Sequence, residues 1–302
     1  GQTDGNDHVA HISFDNNDRL RLYSITGSFD YKIRSNSVYR DTSSWYHVVV
    51  AFDSTQGTAA NRVKMYVNGS EVTDLGQSDY PSQNHDSYFN NNVLHNIGRY
   101  NAGTTQWYQG YMAEINFVDG YAYDPSYFGF TDPVTNIWMP KRYEGTYGTN
   151  GFYLDFTDNT STTTLGIDKS PNGNDFTPED VDVTDCVLDT PSNNFATWNV
   201  EDGEGKNNSG SFSEGNLKVQ IAYQGNDEES GATLAFSSGK WYWEEYMQAS
   251  TADASMVGVG VKSIGGIYAN NGNHWRVRGG GGESDHNGSQ TNVSGLSWTT
   301  GD

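Results

Sequence analysis

The sequence predicts an all-β protein: two β-sandwich domains joined by an irregular β-rich module. Three observations carry this expectation. Gly (35 residues), Asn, Asp, Ser and Thr punctuate short segments rich in Val, Ile, Tyr, Phe and Trp, which is the composition of strands and turns. Residues 110–118 alternate with period two: Tyr111, Ala113, Ile115 and Phe117 face one way, Met112, Glu114, Asn116 and Val118 the other. No long apolar pattern of helical period occurs; the best helical segment is one or two turns over 125–130, behind Asp124 as N-cap.

The strands fall into two groups. The first covers 8–14, 20–25, 44–53, 62–67, 93–98 and 110–118, and Val67-Asn68-Gly69-Ser70 sets Asn-Gly where a tight hairpin needs φ > 0. The second covers 217–223, 231–236, 241–249, 256–261, 266–270 and 274–277. Between them lies an irregular stretch holding most of the prolines and the acidic run Asp175, Glu179, Asp180, Asp182, Asp185 and Asp189. A structureless loop of that length is unusual in a compact domain. It reads as a module with strands at 151–156 and 195–200 and a small aromatic core, followed by a flexible joint at 201–215. The expected division is therefore 1–125, 126–215 and 216–302.

Composition excludes several classes. The 302 residues carry 17 Lys and Arg against 38 Asp and Glu, a net charge of −21. Without a basic patch such a chain is a poor nucleic-acid binder, because that affinity comes from neutralising phosphates. The longest apolar run, 48–52, is far short of a membrane span, so no membrane insertion is expected. One cysteine, Cys186, excludes an internal disulfide framework and a cysteine-rich zinc site.

Two constellations are candidates for binding. Asp168-Lys-Ser170-Pro-Asn172-Gly173-Asn174-Asp175-Phe-Thr-Pro-Glu179 spans the twelve positions of a calcium loop, with Asp168, Ser170, Asn172, Asn174 and Glu179 as ligands. Against calcium, and for a plain polar turn, stand Asp175 at the usually apolar eighth position, two prolines and the absence of flanking helices. No other cofactor is implied. The second candidate is the polar stretch before 110–118. There Tyr80, Tyr88, Phe89, Tyr100, Trp107 and Tyr108, beside Asp86, Asn90, Asn92 and Gln106, combine rings for stacking on sugar faces with groups for bonding hydroxyls. The same rings would serve equally to pack under a long loop or in a subunit contact. His8 and His11, three apart on a strand, face opposite sides and read as ordinary histidines rather than metal ligands. The Gly279–Gly282 run lacks the lysine and helix of a phosphate loop, no Gly-x-Ser-x-Gly elbow occurs, and the sequons at Asn68, Asn159, Asn207, Asn287 and Asn292 are expected by composition alone.

Residues 1 to about 125 resemble a concanavalin-like, laminin-G-like lectin sandwich. The likeness rests on Trp45-Tyr-His-Val-Val-Val-Ala-Phe-Asp53, Lys64-Met-Tyr-Val-Asn-Gly69, Asn96-Ile-Gly-Arg99 and Gly110-Tyr-Met-Ala-Glu-Ile-Asn-Phe117. From about 217 the chain resembles the opening half of a SPRY domain, on Phe236-Ser-Ser-Gly-Lys-Trp-Tyr-Trp-Glu244 and Gly258-Val-Gly-Val261. The middle, through Asn150-Gly-Phe-Tyr-Leu-Asp-Phe156, 165–176 and 189–198, is similar to a module of marine bacteriophage virion proteins. These resemblances imply a piece of a longer virion protein at the particle surface, such as a trimeric tail fibre. It would be non-enzymatic, presenting lectin-like domains to a host polysaccharide or to other virion proteins.

Two other readings stand beside it: a polysaccharide depolymerase and a purely architectural subunit. The first turns on Glu114-Ile-Asn116-Phe-Val-Asp119. Laminarinase-type hydrolases place Glu-x-Asp-x-x-Glu on one strand and need the two carboxyls ~5–5.5 Å apart for retaining chemistry. Here the central Asp is Asn116 and the last Glu is the shorter Asp119. The segment is expected to be structural, with no catalytic residue.

Overall fold

The computed structural model describes residues 8–41, 44–100, 107–193, 195–199, 211–220, 231–234, 239–248, 256–260, 274–278, 283–286 and 289–292. The chain divides into two compact units, Gly1–Asn194 and Phe195–Asp302. The fold class is all-β, and the helical segments among the described residues are 3₁₀ pieces of three to five residues. Among them no helix is long and apolar enough to cross a membrane.

The first unit is built on β1 (His8–Phe14), β2 (Arg19–Thr26), β3 (Ser28–Val38), β4 (Val48–Phe52), β5 (Val63–Val67), β6 (Ser70–Glu71) and β7 (Leu75–Asp79). They form two antiparallel sheets, β1-β2-β3-β7 and β4-β5-β6. Alternation decides which side faces in. Leu20 and Leu22 of β2 with Tyr31 and Ile33 of β3 turn toward Val63, Met65 and Val67 of β5, and these seven make the core. Phe14, Val48, Val50, Phe52, Tyr80 and Phe89 pack around it. Tyr31, fully buried, meets its polar need by a 2.9 Å hydrogen bond with Ser87 Oγ. Turn chemistry fixes the register. The Asp15 carboxylate accepts from the Asn17 and Arg19 amides to close β1 onto β2. Asn68 and Gly69, with φ of 47° and 78°, close β5 onto β6 as the Asn-Gly motif predicts.

Five differences from the sequence expectations have clear causes. The longest strand, β3, and its neighbour β7 went unpredicted, because β3 alternates only at Tyr31 and Ile33 inside a polar run and β7 is almost wholly polar. Residues 93–98 are bent rather than extended, and Leu94 there is exposed. Of 110–118 only β8 (Ile115–Phe117) is a strand, and it pairs not with the sandwich but with β11 (Phe152–Leu154). A hairpin of β9 (Gly129–Thr131) and β10 (Trp138–Pro140) lies between them. The helical segment at 125–130 is one 3₁₀ turn, Pro125–Tyr127, capped by Asp124 accepting from the Ser126 amide.

The fifth concerns the divisions. β8 and β11 pair across the expected division at 125 and share one aromatic core. That core is Tyr143, Tyr147 and Tyr153, packed with Val118, Tyr123 and Phe128. The two compact units divide after Asn194, inside the expected module 126–215.

Trp138 anchors the module to the β5–β6 turn. Its indole N–H donates to His47 Nδ1 at 2.9 Å, and its ring lies where Cβ atoms on Gly69 and Gly129 would come within 2.3 and 2.4 Å. An alanine at 69 would combine this overlap with a left-handed backbone. Gly69→Ala is therefore expected to destabilise the unit by about 2 kcal/mol. Thermal melting with near-ultraviolet dichroism of the indole checks this, and an unchanged melting temperature would contradict the clamp.

In the second unit β12 (Ser211–Ser213) pairs with β13 (Lys218–Gln220). β14 (Met256–Gly260), β15 (His274–Arg278), β16 (Glu283–His286) and β17 (Ser289–Asn292) form an antiparallel meander in that order. The expected strands at 256–261 and 274–277 are present as β14 and β15. Residues 241–248 form none, and Trp241, Tyr242, Trp243 and Tyr246 are exposed there. At 195–200 a single bridge joins Trp198 to Ala232. The expected strand at 266–270, residues 201–210 of the joint, Gly279–Gly282 and Gln106 lie outside the described residues.

Candidate functional site

The six residues selected for sugar contact separate into three places. Tyr80 packs against the sandwich core. Tyr88 belongs to the 3₁₀ turn Tyr88–Asn90, whose Phe89 enters the same core, and Asp86 before it is exposed. Tyr100, Trp107 and Tyr108 come together. Arg99 bridges to Trp107, and the Tyr108 amide donates to Gly98 O at 2.7 Å, which sets the two loop strands side by side. The Arg99 guanidinium lies 5.5 Å from the Trp107 ring centroid and pairs with Glu179 at 2.8 Å. Tyr100 leans edge-on against His11 of β1, with centroids 4.8 Å apart. Trp107 and Tyr108 stay exposed at 41% and 46%, so of the six they offer the most open rings.

This cluster borders the outer face of the sheet β1-β2-β3-β7. Opposite the core, register aligns Ser13, Arg21, Arg34 and Gln77 in one row and His11, Tyr23, Lys32 and Asp79 in the next. With Arg19, the face holds four of the 17 basic side chains, so the expectation of no basic patch is corrected. The signal was in the sequence as Arg19-x-Arg21 and Lys32-x-Arg34, but it needs β3 to be recognised as a strand.

The members of the Glu114–Asp119 segment each accept hydrogen bonds from their own partners. Glu114 has φ of 54°, which ends the strand at Ile115 and takes Glu114 off the line of Asn116. Its carboxylate accepts from Tyr153 Oη at 2.5 Å, and Asn116 Oδ1 accepts from Tyr147 Oη at 2.8 Å. Asp119 accepts from Asn90 Nδ2 and the Asn150 amide. Different partners engage each member, and the two carboxylates serve the aromatic core and a turn.

The five calcium candidates are also distributed by hydrogen bonds. Asp168, only 6% exposed, accepts from the amides of Tyr153, Ser170 and Asn174 and from Ser170 Oγ, all at 2.7–2.9 Å. Burial alone would raise its pKa, but these donors outweigh burial and hold it below the usual carboxylate value. Asn172 and Asn174 donate their side-chain amides to the carbonyls of Gly148, Thr149 and Gly151. Glu179 is drawn to Arg99. N–H donors thus point at the oxygens a cation would need, and the polar-turn reading fits this geometry. Among the described residues no group of His, Cys, Asp or Glu is placed to hold a metal ion.

No curated protein and no solved structure matches the chain. One family model does, that of the concanavalin A-like lectin/glucanases superfamily, over the stretch whose two sheets and core are described above. The match spans residues 2–122, which are similar to a concanavalin A-like lectin/glucanase domain.

Proposed function

We propose that the protein is a non-enzymatic, carbohydrate-binding adhesion protein, and that it acts on the surface of a bacteriophage virion, as a tail fibre or similar appendage. The observation that carries the first part is the fate of the hydrolase-like segment. The domain is similar to a superfamily of lectins and glucanases, and in this chain Glu114, Asn116 and Asp119 are spent on holding Tyr153, Tyr147, Asn90 and Asn150. A lectin role remains, with Trp107 and Tyr108 as exposed rings. The virion assignment, the SPRY-like reading of the second unit, assembly as a trimer and attachment to other virion proteins rest on the sequence resemblances alone.

The test has two arms. A glycan array is expected to give hits that weaken in Trp107→Ala, and incubation with β-glucan is expected to release no reducing sugar. Sugar release abolished by Glu114→Gln would replace adhesion with depolymerisation. An array without hits would leave the architectural reading.

A further inference from the structure

We infer that the outer face of the sheet β1-β2-β3-β7 binds an acidic polysaccharide, with a carboxylate or sulfate of the chain seated between Arg21 and Arg34. The inference rests on the glycan reading above and narrows its ligand class.

Arg21 and Arg34 are direct cross-strand partners. Like charges set opposite one another on a sheet are destabilising unless something neutralises them. The neighbourhood does so poorly. Asp15 Oδ2 reaches Arg34 Nη1 only at 3.8 Å, while Oδ1 is held by two turn amides. Asp79, opposite Lys32, accepts from Gln77 at 2.7 Å. Arg21 Nε donates to Ser13 Oγ, and its guanidinium lies 5.1 Å from the Tyr23 centroid, which fixes the fork without neutralising it. The Nε atoms of Arg19 and Arg34 are buried and have no hydrogen-bond partner. The cost is local, in the two guanidinium groups set opposite one another, and a bidentate anion would satisfy it.

The pattern favours a polymer over a lone ion. Arg19 and Arg21 lie two residues apart on β2, as do Lys32 and Arg34 on β3, which repeats positive charge about every 7 Å along neighbouring strands. Phe29, 56% exposed with Lys32 Nζ 4.6 Å from its ring centroid, adds a flat apolar surface beside the charges, the pairing that sugar sites use. The acidic remainder of the chain repels any long polyanion, and the exposed Phe29 ring beside the cations favours a sugar chain, whose apolar faces are open, over duplex DNA, whose bases are stacked away.

The experiment is calorimetric titration of the full chain with polygalacturonate, dextran sulfate, unsubstituted dextran and duplex DNA, at low and raised salt. One or both acidic polysaccharides should bind, weakening with salt, and dextran should not compete. Binding of polygalacturonate alone assigns the pocket to carboxylate, and of dextran sulfate alone to sulfate. Arg21→Gln should weaken binding about tenfold or more, while Arg21→Lys should retain part of it. Arg21→Gln gives up one side-chain hydrogen bond and relieves the like-charge pair, so it should melt no lower than the parent; Arg34→Gln is read only if it too melts no lower. Acidic-polymer binding that survives Arg21→Gln, or DNA bound equally well, would overturn the inference while leaving glycan array hits standing. No response to any polysaccharide, in titration or on the array, would remove the glycan reading itself.

Discussion

Asp168→Ala is expected to be the most damaging single substitution in the first unit. The carboxylate is buried and accepts four hydrogen bonds, three of them from backbone amides of Tyr153, Ser170 and Asn174. Alanine leaves those amides without their acceptor where little water reaches. At the ordinary cost of an unmet buried donor, partly relieved by local collapse, the loss is about 3 kcal/mol. For a unit of this size that corresponds to roughly 6–12 °C in melting temperature.

Asp168→Asn separates the two explanations of the loop. A carboxamide keeps one oxygen for two donors but turns an NH₂ toward Ser170 Oγ and the Asn174 amide, so it should lose about half as much stability. Calcium at millimolar concentration should leave the parental melting temperature unchanged, since the donors already occupy the oxygens. A calcium-dependent rise abolished by Asp168→Asn would restore the cation reading. Because the Asp168 pKa is depressed in the fold, its contribution is full above the unfolded carboxylate value and fades as pH falls through the folded one.

The calcium motif shows where sequence reading reaches its limit. The oxygen-bearing residues from Asp168 to Glu179 were legible, as was their clustering around one turn. Their direction was not. A row of Asp, Ser and Asn can point oxygens at a cation or at its own amides, and the partners that 148–153 supply by returning across the loop lie far from it in sequence. The acidic run behaves similarly: Asp175 accepts from the Asp168 amide, Asp182 caps a 3₁₀ turn, and Asp189 accepts from the Trp45 indole. What reads as a charged module is partly a set of local caps, at Asp175, Asp182 and Asp185, and partly long-range ties, from Asp189 to Trp45 and Glu179 to Arg99.

The fold was more legible where both faces of a strand carry their own signal. β4 is an unbroken apolar run whose Val48, Val50 and Phe52 are half-buried against the core, β5 alternates with buried Val63, Met65 and Val67, and an Asn-Gly turn follows. β3 hides because its outward positions are charged and its ends polar, yet it supplies Tyr31 and Ile33 to the core and Lys32 and Arg34 to the outer face. Missing that one strand conceals both the centre of the sheet and its basic surface. The aromatic stretch 80–108 was legible as functional material but not as three separate locations, since ring chemistry does not distinguish a plug such as Phe89 from an exposed ring such as Trp107.

His11→Phe is expected to stabilise the protein, and by more in mild acid than at neutral pH. The imidazole sits edge-on between Tyr23 at 3.8 Å and Tyr100 at 4.8 Å, and both of its nitrogens are buried without a hydrogen-bond partner. Burial first, and the Arg21 charge second, push its pKa down to about 3 from the usual 6.5. Between those values the unfolded chain takes up a proton that the fold refuses, so stability falls as pH drops through 6.5 toward 3. At pH 5 this loss amounts to about 2 kcal/mol. Phenylalanine keeps the ring contacts and removes both the unpaired nitrogens and the titration. The melting-temperature gap between variant and parent should therefore widen by roughly 4–8 °C from pH 7.5 to pH 5. A residual slope will remain in the variant, because burial also lowers His47 and His95. The depressed carboxyls of Asp15 and Asp53 add theirs only below about pH 4. Parallel curves for the two proteins across that range would show that His11 is protonated in the fold and that the surface beside Tyr23 is wetter than its packing indicates.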